Sequence, residues 1–317
     1  MGKKSPRRGS IAFWHRKRAA SQTPRVRCWP ALDKGLAGFV GYKAGMAQAL
    51  LVDDSESPLK GQEVTRAITV VAVPPVFAYG VVLYGKTAEG LKVLGQAVAS
   101  NAPKEARRAL TPAKKQSSLE KIEQLLPKAV EARLLMVTQP WKAGIKKTPE
   151  VVEVAVGGKN AAEQFANAKA LLGREVRAAE VLKEGDYFDA VAVTKGKGWQ
   201  GVVKRFGVAL NPHKATGAYR HGGALGGETQ AKIFYTIPRP GQMGYHRRTD
   251  WNKRVLKVGS DGSEVTPKAG FKGFGVVKGD YLVVEGSVPG PAKRMIKLRK
   301  ALRGTASKKP EVRALLI

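Results

Sequence analysis

The chain has 317 residues, with 56 Lys and Arg against 25 Asp and Glu, which gives a formal net charge of +31. Its hydrophobic content of 43% is enough for a buried core, and its length allows one large domain or two. The single cysteine, Cys28, excludes an internal disulfide, and nothing in the sequence suggests a metal site. We expect neither a secretory signal nor a membrane span, because no sufficiently long apolar run occurs, and cytoplasmic is the default location.

The positive charge is concentrated in three stretches, residues 1–36, 195–257 and 289–317. They hold 32 of the 56 Lys and Arg and only 4 acids, whereas the other 189 residues carry 24 bases and 21 acids. Unpaired like charges repel each other, so this segregation indicates a polyanionic partner. Nucleic acid is the obvious one. An acidic protein remains a second possible partner. A membrane surface would favour a basic amphipathic helix, which these Gly- and Pro-containing stretches do not form.

The first segment in chain order is a basic N-terminal extension, residues 1–37. It has no hydrophobic periodicity but interleaves aromatic residues with arginines, which is typical of an extended arm that grips phosphates and stacks on bases. The nucleic-acid-binding residues expected here are Arg7, Arg8, Trp14, His15, Arg16, Lys17 and Arg18.

The body of the chain alternates between β-rich and helical patterns. Short β-forming runs broken by Gly, Pro and Asp fill residues 38–85, 181–195 and 258–290, as in a small antiparallel barrel. Residues 86–180 interrupt this series of β-forming runs. Helical patterns within them lie at 103–110, at 117–134 after a plausible serine cap, and at 160–173, ending at Gly173. These patterns predict a mixed α+β fold, mainly β, in which an α/β subdomain is inserted into a β-barrel.

Two further basic segments complete the chain. Residues 196–257 are too polar and too rich in glycine to fold alone, so we expect them to project as a long irregular loop, here called the finger. Long loops in compact domains are usually functional. Residues 291–317 are expected to form a basic C-terminal tail, part of which is a strand.

Two strings mimic nucleotide-binding motifs. Residues 80–87, GVVLYGKT, match the P-loop pattern, but the variable positions are β-formers and Gly90 would weaken a following helix, so a strand and turn is the better interpretation. Residues 196–201, GKGWQG, match the dinucleotide fingerprint, but no acid lies between Asp189 and Glu228 to bind a ribose. We interpret this string as a glycine-rich turn whose neighbouring lysines approach RNA phosphates, and we expect no cofactor.

Residues suited to catalysis are few. The histidines, none of which has an obvious carboxylate partner to orient it, are His15, His213, His221 and His246. The acid pairs at 53–54 and 186–189 lie at expected strand ends, and we interpret them as carboxylates in solvent-exposed turns. We therefore expect no enzyme and no small-molecule substrate.

A more specific pattern occurs at residues 182–205, LKEGDYFDAVAVTKGKGWQGVVKR, which resembles the signature of the universal large-subunit ribosomal protein L-three family. The positions that fall at the family's spacing are Leu182, Asp189, Ala192, Thr194, Gly196, Lys197, Gly198, Gly201 and Arg205. The resemblance covers essentially the whole chain and is to the archaeal and eukaryotic branch. Other matching segments are GFVGYKAGM, RLLMVTQP, GQMGYHRRTDWNKRV and GSVPGPAKRMIKLRKALR.

This resemblance implies a translation-protein-type β-barrel on the surface of the large subunit. The N-terminal extension and the finger would then run through ribosomal RNA, the finger toward the peptidyl-transferase centre. Family members bind rRNA early in subunit assembly, help to shape the tRNA-accommodation and factor-binding region, and are not catalysts. The implied partners are large-subunit rRNA and neighbouring ribosomal proteins, and the implied location is the cytoplasmic large subunit.

The resemblance also places residues within the finger. His213 matches its base, residues 223–227 a turn, and residues 241–248 the return limb, where Gln242 matches a glutamine that bacterial relatives methylate. Most relatives carry a tryptophan at the tip. The corresponding position here is Glu228, whose carboxylate would face phosphates unfavourably.

We expect binding to combine phosphate neutralisation with recognition of RNA shape and with stacking on aromatic rings. The residues expected to do this in the finger and tail are Lys195, Lys197, Lys204, Arg205, His213, Lys214, Arg220, His221, Gln242, Tyr245, His246, Arg247, Arg248, Trp251, Lys253, Arg254, Lys293 and Arg294. A structural ribosomal protein is the favoured hypothesis. A free-standing RNA- or DNA-binding factor and a nucleotide-dependent enzyme are the alternatives.

Overall fold

The computed structural model describes residues 8–110, 119–215, 217, 219–223, 225–226, 231–304 and 308–317. The chain divides into two compact units. The smaller unit comprises the described residues of Met1–Ser21 and Val193–Arg248, and the larger unit those of Gln22–Ala192 and Thr249–Ile317. None of the helices in the described ranges is long and apolar enough to cross a membrane.

Strands dominate the secondary structure, so the predicted mixed α+β, mainly β class is confirmed. The strands are β1 (Gly38–Val52), β2 (Glu63–Ala72), β3 (Val76–Thr87), β4 (Gly90–Val98), β5 (Glu131–Thr138), β6 (Val151–Ala155), β7 (Glu175–Val176), β8 (Tyr187–Val193), β9 (Gly196–Gln200), β10 (Gly241–Gly244), β11 (Arg247–Gly259), β12 (Tyr281–Glu285), β13 (Met295–Lys300) and β14 (Val312–Leu316). The α-helices are α1 (Leu119–Glu123), α2 (Ala161–Leu171), α3 (Ala178–Val181) and α4 (Val202–Phe206). Short 3-10 turns cover Ile11–Phe13, Lys104–Arg108, Leu126–Lys128 and Gly262–Val265.

The first sheet has the strand order β13-β8-β11-β12-β2-β1-β14. Strand β13 also pairs with β1. Each of the six strands from β13 to β1 in this order therefore has a paired neighbour on both sides. Successive side chains of a strand point to opposite faces, and in β12 they enter different core clusters. Leu282 and Val284 pack in one cluster, and Tyr281 and Val283 in the other. Burial on both faces explains why β12 is a continuous apolar run.

The second sheet has the order β4-β3-β5-β6, with β7 also paired to β3. The strand interpretation of residues 80–87 is confirmed, because they lie within β3. That strand, however, belongs to the second sheet, whereas β1 and β2 belong to the first. Pro74 and Pro75 separate β2 from β3, since proline has no N–H to donate to a ladder.

The helical predictions had mixed outcomes. The helix predicted at 160–173 is confirmed as α2, and Gly173 follows it in the left-handed region, with φ +77°. The prediction at 117–134 is wrong beyond α1, because Pro127 interrupts the helix and β5 starts at Glu131. The segment at 103–110 forms only a 3-10 turn. The predicted serine cap lies outside the described residues.

The C-terminal prediction needs a correction as well. Residues 291–317 were expected to be a basic tail that is strand in part, and β13 and β14 do lie within them. The difference is that β13 is a core strand, in which Ile296 and Leu298 are fully buried. The intervening Lys297 and Arg299 are buried too. Alternation with buried apolar residues was the sequence signal for this strand, and the surrounding charges obscured it.

The smaller unit contains one two-stranded sheet, in which β9 pairs antiparallel with β10, and the helix α4. The turn predicted at 196–201 is therefore wrong, since residues 196–200 form β9. The irregular finger predicted at 196–257 is also interrupted by α4 and β10, and its last eleven residues lie in β11. Composition identified a polar segment but could not detect strand partners that lie about 40 residues away.

Candidate nucleic-acid interface

The smaller unit has an extreme charge balance. The sequence of residues 1–21 and 193–248 contains 17 Lys and Arg and one acid, Glu228. Glu228 lies outside the described residues, and so does Arg7. No carboxylate is therefore present among the described residues of this unit to form an ion pair with its cations. Closely spaced like charges destabilise a compact fold, so an anion bound to this unit would stabilise it.

Aromatic packing holds the N-terminal segment 8–21 to the rest of the smaller unit. Trp14 is only 9% exposed, and its ring centroid lies 5.2 Å from that of Phe206. The guanidinium carbons of Arg16 and Arg205 lie 4.4 and 5.1 Å from the centre of the Phe206 ring. Cation–π attraction lets two arginines approach one another without a carboxylate.

Backbone hydrogen bonds extend this contact. The amide of Ala19 donates to the carbonyl of Tyr245 at 2.8 Å, and Arg16 Nη1 donates to the carbonyl of Arg205 at 3.0 Å. Arg205 in turn donates through Nε to the carbonyl of Gln242 at 3.1 Å and through Nη1 to that of Arg239 at 2.7 Å. The half-buried Arg16 and Arg205 thus have an internal packing role, which reduces their availability to RNA.

Gly244 allows the close approach of β9 and β10. Its φ is +71°, and a Cβ built on it would lie 2.1 Å from the carbonyl oxygen of Lys195. Only glycine fits both conditions. The neighbouring Tyr245 also has a positive φ, 54°, and Arg18 lies over its ring at 5.8 Å.

A cationic cavity of about 410 Å³ opens beside this contact. Its lining includes Arg16, Lys17, His246, Arg247 and Arg248. Burial lowers the pKa of His246, and nearby arginines lower this pKa further. The hydrogen bond between its Nδ1 and the carbonyl oxygen of Lys17, at 3.0 Å, raises the pKa and partly opposes these effects. Burial, followed by repulsion from Arg16, likewise lowers the pKa of Arg248. These directions identify a place where positive charge is crowded and an anion would be stabilised.

A second cavity, of about 320 Å³, is aromatic as well as basic. His15 and Tyr235 line it and stack on each other, with 5.4 Å between ring centroids and 16° between planes. Ile233 and Phe234, two of its other lining residues, are also exposed. Exposed rings beside cations form a surface suited to nucleobases and phosphates together.

Most of the predicted nucleic-acid-binding residues are at least partly accessible. The exposed ones are Arg8, His15, Lys17, Arg18, Lys195, Lys197, Lys204, His213, Lys214, Arg220, His221, Arg247, Trp251 and Lys293. Those of intermediate exposure are Arg16, Arg205, Gln242, Tyr245, His246, Arg248, Lys253 and Arg294. Of the predicted turn at 223–227, residues 224 and 227 lie outside the described residues.

The structure gives three predicted residues other roles. Trp14 is buried against Phe206, so it is not available to stack on RNA. Arg254 is buried and donates to both carboxylate oxygens of Asp54 and to the carbonyl of Lys308, so it is an internal structural residue. Two guanidinium groups, of Arg299 and Arg303, lie about 5 Å from the ring centre of Trp251 and already occupy that ring.

Sequence reasoning missed several exposed aromatic residues, namely Trp199, Tyr219, Phe234 and Tyr235. Trp199 is the most exposed of them, at 74%. The available signal was a tryptophan within a run of glycines and lysines, where no neighbouring side chain could cover the ring. Within the described ranges, no group of three or more His, Cys, Asp or Glu could hold a metal ion.

Comparison with known proteins agrees with these features. The profile of the family described as Ribosomal protein L3 matches residues 1–315. The chain is 44% identical to the large ribosomal subunit protein uL3 of Methanothermobacter thermautotrophicus, covering 97% of this chain and 95% of the relative. It is 48% identical to the protein of the same name from Pyrobaculum calidifontis, covering 94% and 92%. With matches along nearly its full length, the chain belongs to the ribosomal protein L3 family.

Proposed function

We propose that this chain is a structural constituent of the large ribosomal subunit and binds ribosomal RNA mainly through its smaller unit. The observation that carries the proposal is the collection of 17 bases with a single acid in residues 1–21 and 193–248. RNA provides the closely spaced phosphates that such a surface needs, and contact with them releases condensed counterions.

Family membership supports the ribosomal part of this proposal. The relatives are named large ribosomal subunit proteins, which are structural components rather than enzymes. The corresponding location of this chain is the large subunit in the cytoplasm, and its partners are rRNA and adjacent ribosomal proteins. A role in early assembly, and a position near the peptidyl-transferase centre and the factor-binding site, follow from the family resemblance.

We further propose that the first sheet closes as a six-stranded barrel. Support comes from the pairing between β13 and β1, which links the two ends of the strand order. The second sheet with α1 and α2 would be the inserted subdomain, spanning roughly residues 76–180. Residues 1–37 would be the extension, and the chain between β9 and β11 the finger. This keeps the predicted order of segments, but it moves the start of the insertion from residue 86 to the Pro74–Pro75 break and ends the finger before β11 rather than at residue 257.

The RNA-binding surface proposed here consists mainly of exposed cations. The residues retained in the smaller unit are Arg7, Arg8, His15, Lys17, Arg18, Lys195, Lys197, Lys204, His213, Lys214, Arg220, His221, Gln242, Tyr245, His246, Arg247 and Arg248. Lys253, Lys293 and Arg294 belong to the larger unit and are retained as separate RNA contacts. Lys253 also forms an ion pair within the protein, because its Nζ lies 3.0 Å from the carboxylate of Asp250. Arg16 and Arg205 are not included in this surface, because they pack against Phe206 and donate hydrogen bonds to backbone carbonyls inside the smaller unit.

The salt dependence of RNA binding tests this function. The full chain is mixed with a transcript of the large-subunit rRNA from its own organism, and affinity is measured by filter binding over a range of KCl concentrations. We expect log affinity to fall by roughly 7–9 per tenfold rise in salt if about 10 phosphates are neutralised. Changing Lys195, Lys197 and Lys204 together to Gln should lower this slope by about 2–3, since each phosphate contact contributes roughly 0.7–0.9.

A matched control changes three exposed lysines of the larger unit, Lys86, Lys92 and Lys128, to Gln. This variant carries the same loss of net charge but should change the slope by less than about 1. A wild-type slope near zero would contradict RNA binding by phosphate neutralisation. Equal losses in the two triple variants would show instead that net charge, rather than the smaller unit, determines binding.

A further inference from the structure

Trp199 has an unusual environment for a large aromatic residue. It lies in β9, directly opposite Gln242 of β10, and 74% of its surface is exposed. Among the described residues, no other ring or guanidinium group stacks on its indole. An uncovered indole in water forgoes the stabilisation that burial of its large apolar surface would provide.

The chain around Trp199 leaves the ring uncovered. Its neighbours in β9 include Gly198, and Gly201 follows the strand; a Cβ built on either glycine would meet nothing within 4 Å. Both positions therefore border open space rather than the protein. Whatever covers the indole has to come from outside the described part of the chain.

The backbone beneath the ring is nevertheless ordered by specific contacts. Gln200 Nε2 donates to the carbonyl of Lys197 at 2.7 Å, and Gly198 takes the positive φ, +67°, that the bend between them requires. Pairing with β10 holds the other edge of the strand. A ring presented on an ordered strand loses little conformational entropy when a partner binds.

The charges around Trp199 define the chemistry of this partner. Lys195 and Lys197 are exposed on the same strand region, and the described part of the smaller unit offers no carboxylate to pair with them. The partner should therefore combine a flat apolar face with negative charge on either side of it. An unpaired nucleotide fits, because its base stacks on an aromatic ring while its phosphates contact lysines.

We propose that Trp199 is a stacking platform for one unpaired nucleobase of the bound RNA, with Lys195 and Lys197 contacting the phosphates that flank it. The inference rests on the proposed function, since it names the part of the RNA that this strand contacts. Under this proposal, the GKGWQG string is not a cofactor-binding motif. Its glycines leave the ring of Trp199 exposed and allow the strand to bend.

Trp251 provides an internal comparison. Its side chain is also exposed, at 42%, but the guanidinium groups of Arg299 and Arg303 lie 5.1 and 5.0 Å from its ring centre. A base would have to displace one of them to stack there. Trp251 is consequently the matched control for removal of an exposed indole.

The test measures binding of the full chain to two RNAs of equal length, single-stranded octaadenylate and an eight-base-pair duplex. Trp199→Ala should weaken octaadenylate binding by roughly 5- to 150-fold, the usual effect of losing one base–aromatic stack. Trp199→Phe should retain most of the affinity, because the ring remains. Duplex binding by both variants and octaadenylate binding by Trp251→Ala should stay within about twofold of wild type.

The outcomes separate this inference from the proposed function. Salt-sensitive binding of both RNAs, with Trp199→Ala as tight as wild type on octaadenylate, would overturn the platform and leave RNA binding intact. Absence of salt-sensitive binding to octaadenylate, to the duplex and to the rRNA transcript would contradict the proposed function itself. An equal loss on single strand and duplex would also overturn the platform, because stacking requires an unpaired base.

Zero-length crosslinking gives a second readout in the assembled particle. Large subunits are irradiated at 254 nm, and the peptide that contains Trp199 is isolated by mass spectrometry. A nucleotide attached to Trp199 is the expected result. Attachment to a peptide of another ribosomal protein would overturn the proposal and identify a protein as the occupant of this surface.

Discussion

The two units of this chain handle positive charge in opposite ways. The larger unit has 39 bases and 24 acids in its sequence, and it pairs buried cations internally, as in Arg299 with Asp189 and Arg254 with Asp54. The described smaller unit has no acids, so Arg16 and Arg205 lie over Phe206 and bond to carbonyls instead. The larger unit therefore neutralises these buried cations within its own fold, whereas the described smaller unit has no carboxylate with which to do so.

This difference indicates which charges serve stability and which serve binding. A cation that is buried with a carboxylate stabilises the fold, and removal of its partner leaves an uncompensated charge. A cation over an aromatic ring keeps its full charge and can still attract phosphate. Location within a unit, rather than residue type, separates the two roles.

The largest effect should come from breaking a buried ion pair of the larger unit. Asp189 is fully buried, and it accepts hydrogen bonds from Arg299 Nη2 at 2.6 Å and from the amide of Asn252 at 3.0 Å. Asp189→Ala should lower the free energy of unfolding by about 3–5 kcal/mol, since it leaves a buried guanidinium unpaired. Urea denaturation of the full chain, followed by circular dichroism, measures the change.

The matched control for Asp189→Ala is Glu123→Ala, which removes an exposed ion pair with Lys169 in the same unit. Its expected cost is within about 1 kcal/mol, because solvent screens surface pairs. Equal costs for the two variants would show that the larger unit does not depend on its buried charges.

The next effect is of opposite sign and concerns Lys297. This side chain of β13 is buried, and burial lowers the pKa of its amine to about 8. The unfolded chain then binds more protons than the folded one at pH values between about 8 and 10.5, so stability should rise as pH increases through this window. Lys297→Met should stabilise the protein at pH 7 by up to about 3 kcal/mol and remove this rise.

Urea unfolding at pH 7 and pH 9.5 checks the prediction for Lys297. The control is Lys92→Met, a change at an exposed position of β4, which should retain the wild-type difference between the two pH values. A Lys297→Met protein that is less stable than wild type at pH 7 would show that the buried amine is well solvated or paired.

A smaller effect should distinguish two glycines of the smaller unit. Gly244 and Gly198 both have positive φ, but only at Gly244 would an added Cβ collide with the backbone, at 2.1 Å from the carbonyl oxygen of Lys195. Gly244→Ala should cost about 1–3 kcal/mol more than Gly198→Ala. Hydrogen exchange of the β9 and β10 amides reports this, and protection in the larger unit should be unchanged. Similar exchange in both variants would remove the steric argument.

The smallest effect concerns His246. Burial lowers the pKa of this imidazole below its usual value of 6.5. Below about pH 6.5 the unfolded imidazole gains a proton that the folded one resists, so the local stability of the smaller unit should fall as pH decreases from 6.5 toward the lowered pKa. Exchange of the Ala19 and Tyr245 amides should be faster at pH 5.5 than at pH 7.5, after correction for intrinsic rates.

Replacement of His246 by Gln should abolish this pH dependence, whereas replacement of the exposed His213 by Gln should leave it unchanged. Wild-type exchange that is independent of pH would show that the imidazole is not desolvated. The stability of the smaller unit would then depend on pH through His246, and that of the larger unit would depend on pH, in a different range, through Lys297.

Local sequence features were sufficient for part of this fold. The P-loop-like string at 80–87 was identified as a strand from its β-forming residues, and α2 was identified from its composition and from Gly173. The 3-10 turn and strand that replace the predicted helix after residue 125 follow from Pro127 and a run of buried apolar residues. In these segments, propensity and tertiary environment favour the same structure.

The candidate site was predicted less completely. The basic segments were identified correctly as the location of exposed cations, but Trp14 and Arg254 proved to be buried and Trp199 was overlooked. Charge and aromatic content show that a segment is suited to bind nucleic acid. They do not show which of its side chains the fold covers, because the covering residue is often distant in the chain, as Phe206 is from Trp14.

The sequence by itself determined the charge segregation of this protein, the scarcity of residues suited to catalysis and the resemblance to a family, since these depend only on composition and on local spacing. Only the tertiary structure decided that the strand in the basic run after residue 291 is buried in the core, that Asp189 neutralises Arg299, and that Trp199 remains uncovered. The physical reason is that pairing and burial depend on contacts between distant segments, which form only when the strands assemble into sheets.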